Sequence, residues 1–156
     1  MRHFPSTLDR AASDAFVDRI EAHFDAHAWG LWAVEVADTG TFGGFVGLWP
    51  ATFDAEFTPA VEIGWRLRTD HQGLGYATEA AHAVLADGFG RLALDEIVSF
   101  TAMTNTPSQG VMRKLGMSFV EEFDHPNVSP DSELCRHVLY RLTADEQRGN
   151  AEWSRP

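Results

Sequence analysis

The run Gln72-Gly73-Leu74-Gly75-Tyr76-Ala77 sets two glycines just ahead of an apolar-periodic segment. Glycine removes the side chain where a ligand would approach the backbone. A helix opening at Tyr76 offers unpaired N–H groups and a partial positive charge. Together these make an anion site, and phosphate is its natural occupant. The plain alternative is a glycine-rich turn that only turns, and the loop's chemistry does not separate the two. Gly73-x-Gly75-x-x-Thr78 nearly imitates the dinucleotide fingerprint, but Thr78 stands where a small residue should allow close helix packing. The next predicted strand ends Phe100-Thr101-Ala102, with no acid to hold a ribose. Gly-Lys-Ser/Thr is missing too, so NAD and ATP are disfavoured.

The elements that must position this loop follow from periodicity. Ser6, Thr7 and Asp9 read as a helix start, and Leu8, Ala12, Phe16, Ile20 and Phe24 recur on one helical face to about Ala26. Residues 31–37 alternate as a strand, Asp38-Thr39-Gly40-Thr41 turns, and 42–49 returns. Residues 50–59 read as a loop. Ala60–Leu67 alternates, with Val61, Ile63, Trp65 and Leu67 on one face and Glu62, Gly64 and Arg66 on the other; mid-strand Gly64 suggests a bulge or a close backbone approach. A helix over 76–89, a strand over Glu96–Ala102, and a short helix with Thr106 as N-cap, Pro107 at its start and Gly116 past its end come next. Residues 117–123 and 134–142 read as strands around a loop over 124–133, and the polar tail after Thr143 reads as frayed. Short turns make the early strands antiparallel, and the strand–helix–strand crossover makes its two strands parallel. The expected fold is α/β with a mixed sheet: one domain over 1–143 and a polar tail over 144–156.

Composition bounds the function classes. The 156 residues suit one domain, and 44% hydrophobic content supports a packed core. A net charge of −11 argues against nucleic acid and against an anionic membrane surface as partners. The single cysteine, Cys135, cannot staple the fold or build a cysteine-rich metal site alone, so no metal is expected and a cytoplasmic setting fits. No apolar run is long enough to span a membrane, and the start lacks a signal-peptide pattern.

Gln72-x-x-Gly75-x-Ala77, flanked by Glu62-Ile63-Gly64-Trp65-Arg66-Leu67 and Tyr76-Ala77-Thr78-Glu79-Ala80, resembles the acetyl-CoA pyrophosphate loop of the GNAT family of N-acetyltransferases. Asn105-x-x-Ser108 and Lys114-Leu115-Gly116-Met117 fall where that family places its second cofactor helix. The resemblance covers about residues 31–142 and looks like the branch that includes the ribosomal-protein alanine acetyltransferases. It implies a GNAT-like acyltransferase fold, acetyl-CoA as co-substrate without a metal, and direct attack by a primary amine on the thioester. The amine is a protein N-terminus or a small molecule. Two departures stand out. The text around Met1-Arg2-His3-Phe4-Pro5 resembles what normally follows a first strand and helix, so these are expected to be missing and a sheet edge exposed. Met112 stands where many members carry the Tyr that protonates the leaving thiolate.

The resemblance assigns cofactor contacts to Trp65, Arg66 and Leu67 through main-chain atoms. It adds Gln72, Gly73, Leu74, Gly75, Tyr76 and Ala77 in the loop, with Asn105 and Ser108 downstream. Asn105 reads equally as an Asx turn, and Ser108 as a solvated helix-start serine or the group that protonates the thiolate. Glu62 is the candidate base that takes the ammonium proton; its alternative is an exposed residue paired with an Arg. His125, in the long loop over the acceptor side, reads as lining the site or acting as base; its alternative is a surface-loop histidine. His71 reads as loop-stabilising, Cys135 as inert, and Tyr140 as a core or sheet-surface aromatic. A catalytically silent acyl-CoA-binding protein on the same fold is the rival reading. An unpaired edge with Trp29, Trp32 and Trp49 nearby points to a homodimer.

Overall fold

The computed structural model describes residues 8–153. Met1–Thr7 therefore lie outside the described residues, as does the expectation attached to them. Helix α1 (Arg10–His27) starts at Asp9, whose carboxylate accepts the Ala12 N–H at 2.8 Å, and ends at Ala28 in the left-handed region. Strands β1 (Leu31–Val36), β2 (Thr41–Ala51) and β3 (Ala60–Leu67) form an antiparallel meander. A short 3-10 turn over Thr69–His71 leads to α2 (Tyr76–Gly90) and then β4 (Glu96–Ala102), which lies parallel to β3. Helix α3 (Thr106–Lys114) and the antiparallel strands β5 (Ser118–Asp124) and β6 (Arg136–Thr143) follow. The described strands form one mixed sheet in the order β1-β2-β3-β4-β6-β5.

The two faces of the sheet differ. Val46, Leu48, Ile63, Ile97 and Leu142 meet Ala81, Val84 and Leu85 of α2 and Met112 of α3 in the main core. Burial of this apolar face, at roughly 25 cal/mol per Å², holds α2 and α3 down. The opposite face carries α1. Its predicted stripe is only partly engaged: Phe16 packs on Phe45 at 5.8 Å and Phe24 on Trp32 at 4.5 Å, while Leu8 stays exposed. No residue of α1 is fully buried.

Four expectations need correction. The cap of α3 is Asn105, one residue before Thr106, because the Asn105 side chain accepts from the Ser108 N–H. Strand β2 runs on through Pro50. Leu48 sends its N–H toward Gly30 on the β1 side, and alternation turns residue 50 the same way, where β1 has stopped and no donor is needed. The sheet has no bulge at Gly64, whose pairing to Gly47 is in register. The polar segment after Thr143 is a helix, α4 (Ala144–Trp153), opened by reciprocal bonds between Thr143 and Glu146.

Candidate active site

Strands β3 and β4 pair at a single position, Glu62 with Val98, and then part. The fork is pinned by Ser99, buried in the sheet, whose hydroxyl donates to the Ile63 carbonyl at 2.9 Å. That bond fixes the direction of the backbone: Ile63 faces β4. By strand alternation Trp65 turns its N–H and C=O the same way, into the opening beyond the last paired position. The Trp65 and Leu67 side chains pack against the main core, and the Arg66 guanidinium lies over the Phe45 ring at 5.6 Å on the α1 face. Trp65 and Leu67 therefore turn main-chain atoms toward the fork, whereas Arg66, by the same alternation, turns its main chain to β2, where it pairs with Phe45. A Cβ placed on Gly64 would meet nothing within 4 Å, so this side of the strand is open.

Beyond Leu67 the chain turns through the glycine loop. Gly73 and Gly75 sit at φ of +76° and +89°, a region costly for other residues. The N–H groups of Gly73, Leu74, Gly75, Tyr76, Ala77 and Thr78 have no backbone acceptor among the described residues; the ladder first closes from Glu79 to Gly75 at 3.0 Å. Consecutive free donors at a helix N-terminus form an anion cradle. Gln72 turns its amide back to the Leu67 carbonyl at 3.0 Å, tying the loop to the strand end. Leu74 is 61% exposed at the tip. His71 bonds Asp70 at 2.9 Å, in keeping with a loop-stabilising part. The Asp70 carboxyl is held down to about 2, first by the bond from Arg68 and then by His71.

At the start of α3, Asn105 caps the helix and donates to the Thr101 hydroxyl at 2.9 Å. Ser108 is half-buried in the first turn, and its hydroxyl has no partner among the described residues. Met112 is 1% exposed in the main core. Tyr140 is buried there too, its hydroxyl accepting from Arg113 at 3.4 Å.

The α1 face carries the second half of the site. Glu62 and His125, far apart in sequence, line one cleft of about 430 Å³ with Trp49, Phe53 and Phe100. The Glu62 carboxyl has no hydrogen-bond or ion-pair partner among the described residues, so the Arg pairing considered for it is absent. Burial pushes it up to about 7, the range in which a carboxyl exchanges protons at neutral pH. Asn127 donates its N–H to His125 Nδ1 at 3.2 Å. The neutral ring must then carry its proton on Nε2, which leaves it a donor. Burial, followed by the neighbouring His137, lowers the His125 pKa.

Phe53, Phe100 and Ser99 were not singled out from the sequence. Ser99 carries no local signal, being one small polar residue in an apolar strand. The phenylalanines come from segments that only the fold brings together.

A forked mixed sheet with free backbone donors on one side and a carboxyl-bearing cleft on the other is an arrangement that could hold an anionic group and move a proton. The family model for the acetyltransferase (GNAT) domain matches residues 1–118, and the chain belongs to that family. The uncharacterized N-acetyltransferase YnaD of Bacillus subtilis is 45% identical over 85 residues, 54% of this chain and 49% of that protein. The FsC-acetyl coenzyme A-N(2)-transacetylase of Aspergillus fumigatus is 31% identical over 134 residues, 77% of this chain and 57% of that one. This chain thus spans about half the length of these two relatives. The ribosomal-protein-S5-alanine acetyltransferase of Vibrio fischeri shares the fold, with a TM-score of 0.73 at 16% identity over 92% of this chain and 79% of that one. No helix among the described residues is long and apolar enough to cross a membrane.

Proposed function

We propose that this protein transfers the acetyl group of acetyl-CoA to a primary amine by direct attack. The observation that carries the reading is the run of unpaired N–H groups from Gly73 to Thr78 beside a forked sheet. The loop fits a pyrophosphate: its donors are free, and a Cβ at Gly73 or Gly75 would meet nothing within 4 Å. Gly73–Ala77 would hold the phosphates. Trp65 main-chain groups, with Asn105 and Ser108, would hold the amide-rich arm and polarise the thioester carbonyl. Acetyl-CoA supplies an activated acyl group.

Glu62 takes a proton from the bound ammonium, directly or through water. The free amine then bonds to the acetyl carbon as the carbon–sulfur bond breaks; the Ser108 hydroxyl delivers a proton to the departing thiolate and recovers one, directly or through water, from the acylated nitrogen, which is left as the neutral amide. His125 borders the acceptor and does not serve as base, because its Nδ1 lone pair is occupied by Asn127. We read residues 1–143 as one catalytic domain, with α4 appended. The lone cysteine suits a reducing, cytoplasmic compartment.

Two measurements test this reading together. CoA at about 100 times its dissociation constant adds about 2.7 kcal/mol of stability, and acetyl-CoA with an amine panel releases thiol. No thermal shift at millimolar CoA removes the cofactor assignment. Binding without thiol release on any amine leaves a silent acyl-CoA-binding protein instead. We further propose self-association through the β1 edge, where Trp32 is 49% and Phe42 55% exposed; Trp29 and Trp49 are instead half-buried against His23. Sedimentation equilibrium showing one species at 17.3 kDa at low and high salt would remove that proposal.

A further inference from the structure

The cleft on the α1 face is built from aromatic rings whose arrangement says more than their exposure. Phe53 contacts Phe57 at 5.7 Å, Phe100 at 5.3 Å and His125 at 4.4 Å; Phe123 closes the group against Phe57 at 5.1 Å and His137 at 5.6 Å. The cluster divides in two. Phe57, Phe123 and His137 do not border the cleft, whereas Phe53, Phe100 and His125 do, beside Glu62. The inner rings back the outer ones and hold them in place. The loop that carries Phe53 and Phe57 is knitted by Thr58, whose hydroxyl donates to the Phe53 carbonyl at 2.5 Å and accepts the Ala55 N–H at 3.1 Å. The facing loop is closed by the His125 N–H on the Cys135 carbonyl at 2.9 Å. The ring walls are preorganised rather than adaptable.

The charges of the cleft are as specific as its walls. Glu62 is the inner carboxylate. Asp54, Thr52 and Asn127 line the same cleft but are exposed at its rim. Among the described residues no Lys or Arg borders it. His125 presents a neutral ring, because Asn127 occupies Nδ1 and burial disfavours its cation. His137 donates its Nδ1 proton to the Cys135 carbonyl, and burial lowers its pKa too. A single inner carboxylate suits one ammonium. A polyamine needs acids spaced along its length, and an amino sugar needs polar partners for its hydroxyls; the inner walls provide neither. Flat apolar walls suit a flat apolar group, and an ammonium beside such rings gains cation–π attraction as well as the carboxylate. A volume of about 430 Å³ lies in the range of small-ligand pockets.

We propose that the acceptor is a small monoamine carried by a short linker on an aromatic ring, with the ring lodged against Phe53, Phe100 and His125 and the amine at Glu62. The proposal rests on the acetyl-transfer reading above and narrows it. With both imidazoles neutral and no Lys or Arg among the lining residues, the amine reaches Glu62 without a like charge to pass. Phe100 stands on β4 beyond the fork, so a ring against it directs the linker back toward the parting of β3 and β4.

The test is thiol release by the full chain from acetyl-CoA with 2-phenylethylamine, ethylamine, spermidine and glucosamine as acceptors. The expected kcat/KM for 2-phenylethylamine exceeds each of the others at least tenfold. Phe100→Ala raises its KM about tenfold, with a smaller change for ethylamine. Phe53→Leu, which keeps apolar volume but removes the flat ring, narrows the preference for 2-phenylethylamine over ethylamine. Should Phe100→Ala fail to fold, Phe53→Leu and the acceptor panel decide alone. Spermidine or glucosamine as the better acceptor, or equal losses on all amines in a folded variant, overturns the proposal while leaving acetyl transfer intact. No thiol release with any of the four amines, when other primary amines do turn over, also overturns it. Failure on every amine despite CoA binding overturns acetyl transfer and this proposal together.

Discussion

The two sides of the sheet offer different materials for recognition. On the α2 side, the cradle is main chain: free N–H groups from Gly73 to Thr78 and the Trp65 backbone turned into the fork. On the α1 side, the cleft is side chain: Glu62, Phe53, Phe100 and His125, drawn from four separate segments. Pyrophosphate and amide groups are recognised by backbone donors whatever the neighbouring side chains are. A ring and an amine are recognised only by particular side chains. The comparison teaches why one half of the site depends on a loop spacing while the other depends on the identity of each side chain. It also says how each half should break: the cradle through backbone geometry, the cleft through side-chain chemistry.

The sharpest break on the cleft side is Glu62→Gln. Loss of a positioned base lowers kcat by about 10²–10⁴-fold. The wild-type rate should rise with pH to about 7 and then level, because only ionised Glu62 accepts a proton. The variant should lack that limb. Stability runs the other way. A carboxyl raised from 4.5 to about 7 contributes stability fully below pH 4.5 and loses it as pH climbs through 7. Glu62→Gln is therefore more stable than wild type at pH 8, by about 1–3 kcal/mol once solvent access to the half-buried residue is allowed for. Thermal unfolding at pH 4 and pH 8 checks this; an equal wild-type/variant gap at both would show that the buried carboxylate is not the cause.

On the cradle side, Gly75→Asp should remove the CoA-induced stabilisation of about 2.7 kcal/mol expected at saturating ligand. Its φ of +89° adds strain of about 1–3 kcal/mol, and the new carboxylate faces the phosphates. Circular dichroism separates loss of the cradle from loss of the fold. A folded variant with unchanged CoA affinity would move the phosphates elsewhere.

Legibility in the sequence follows the same division. Ala60–Leu67 emerges from strict alternation and Glu96–Ala102 as a short apolar run, both with their bounds intact. The Gly73/Gly75 spacing marks the cradle, since a positive φ and a helix start are local properties. Glu62 stands out in the sequence as a candidate base through its place in the strand and the family resemblance. The absence of an Arg partner does not, because that depends on the fold. The aromatic cleft leaves no pattern: Phe53 sits in a loop, Phe100 in a strand, and their meeting is tertiary. Helix α4 has a local start signal in Thr143-x-x-Glu146, but its composition is polar on most faces, so no apolar period follows that signal and the helix is held by packing beside β6.

Ser99 links the two halves and gives a smaller effect. Ser99→Ala leaves the Ile63 carbonyl without the hydroxyl, costing about 1–3 kcal/mol for a buried acceptor. If the bond also sets the fork, the KM for acetyl-CoA rises while the KM for the amine changes little. Equal changes in both would make Ser99 a stabiliser of the sheet and nothing more. Ser99→Thr, which keeps the hydroxyl, should restore the acetyl-CoA value if the extra methyl is accommodated.

The smallest effect expected is at Asp70, and it asks whether the cradle depends on side-chain charge at all. Arg68 donates to both Asp70 oxygens, at 3.1 and 2.8 Å, close to the loop that offers its backbone to phosphate. The carboxyl, held down to about 2, is ionised throughout the working range and cancels the Arg68 charge. Asp70→Asn removes that negative charge and frees the guanidinium. Both changes favour an anion, but the pair is exposed and screened within about 8 Å at physiological salt. CoA should therefore bind the variant slightly more tightly, by less than about tenfold, with the gain fading as salt is raised. Calorimetric titration at two salt concentrations measures it. A gain larger than the loss caused by Gly75→Asp would mean that Arg68, rather than the free N–H groups, dominates phosphate recognition, and the contrast between a main-chain half and a side-chain half would not hold.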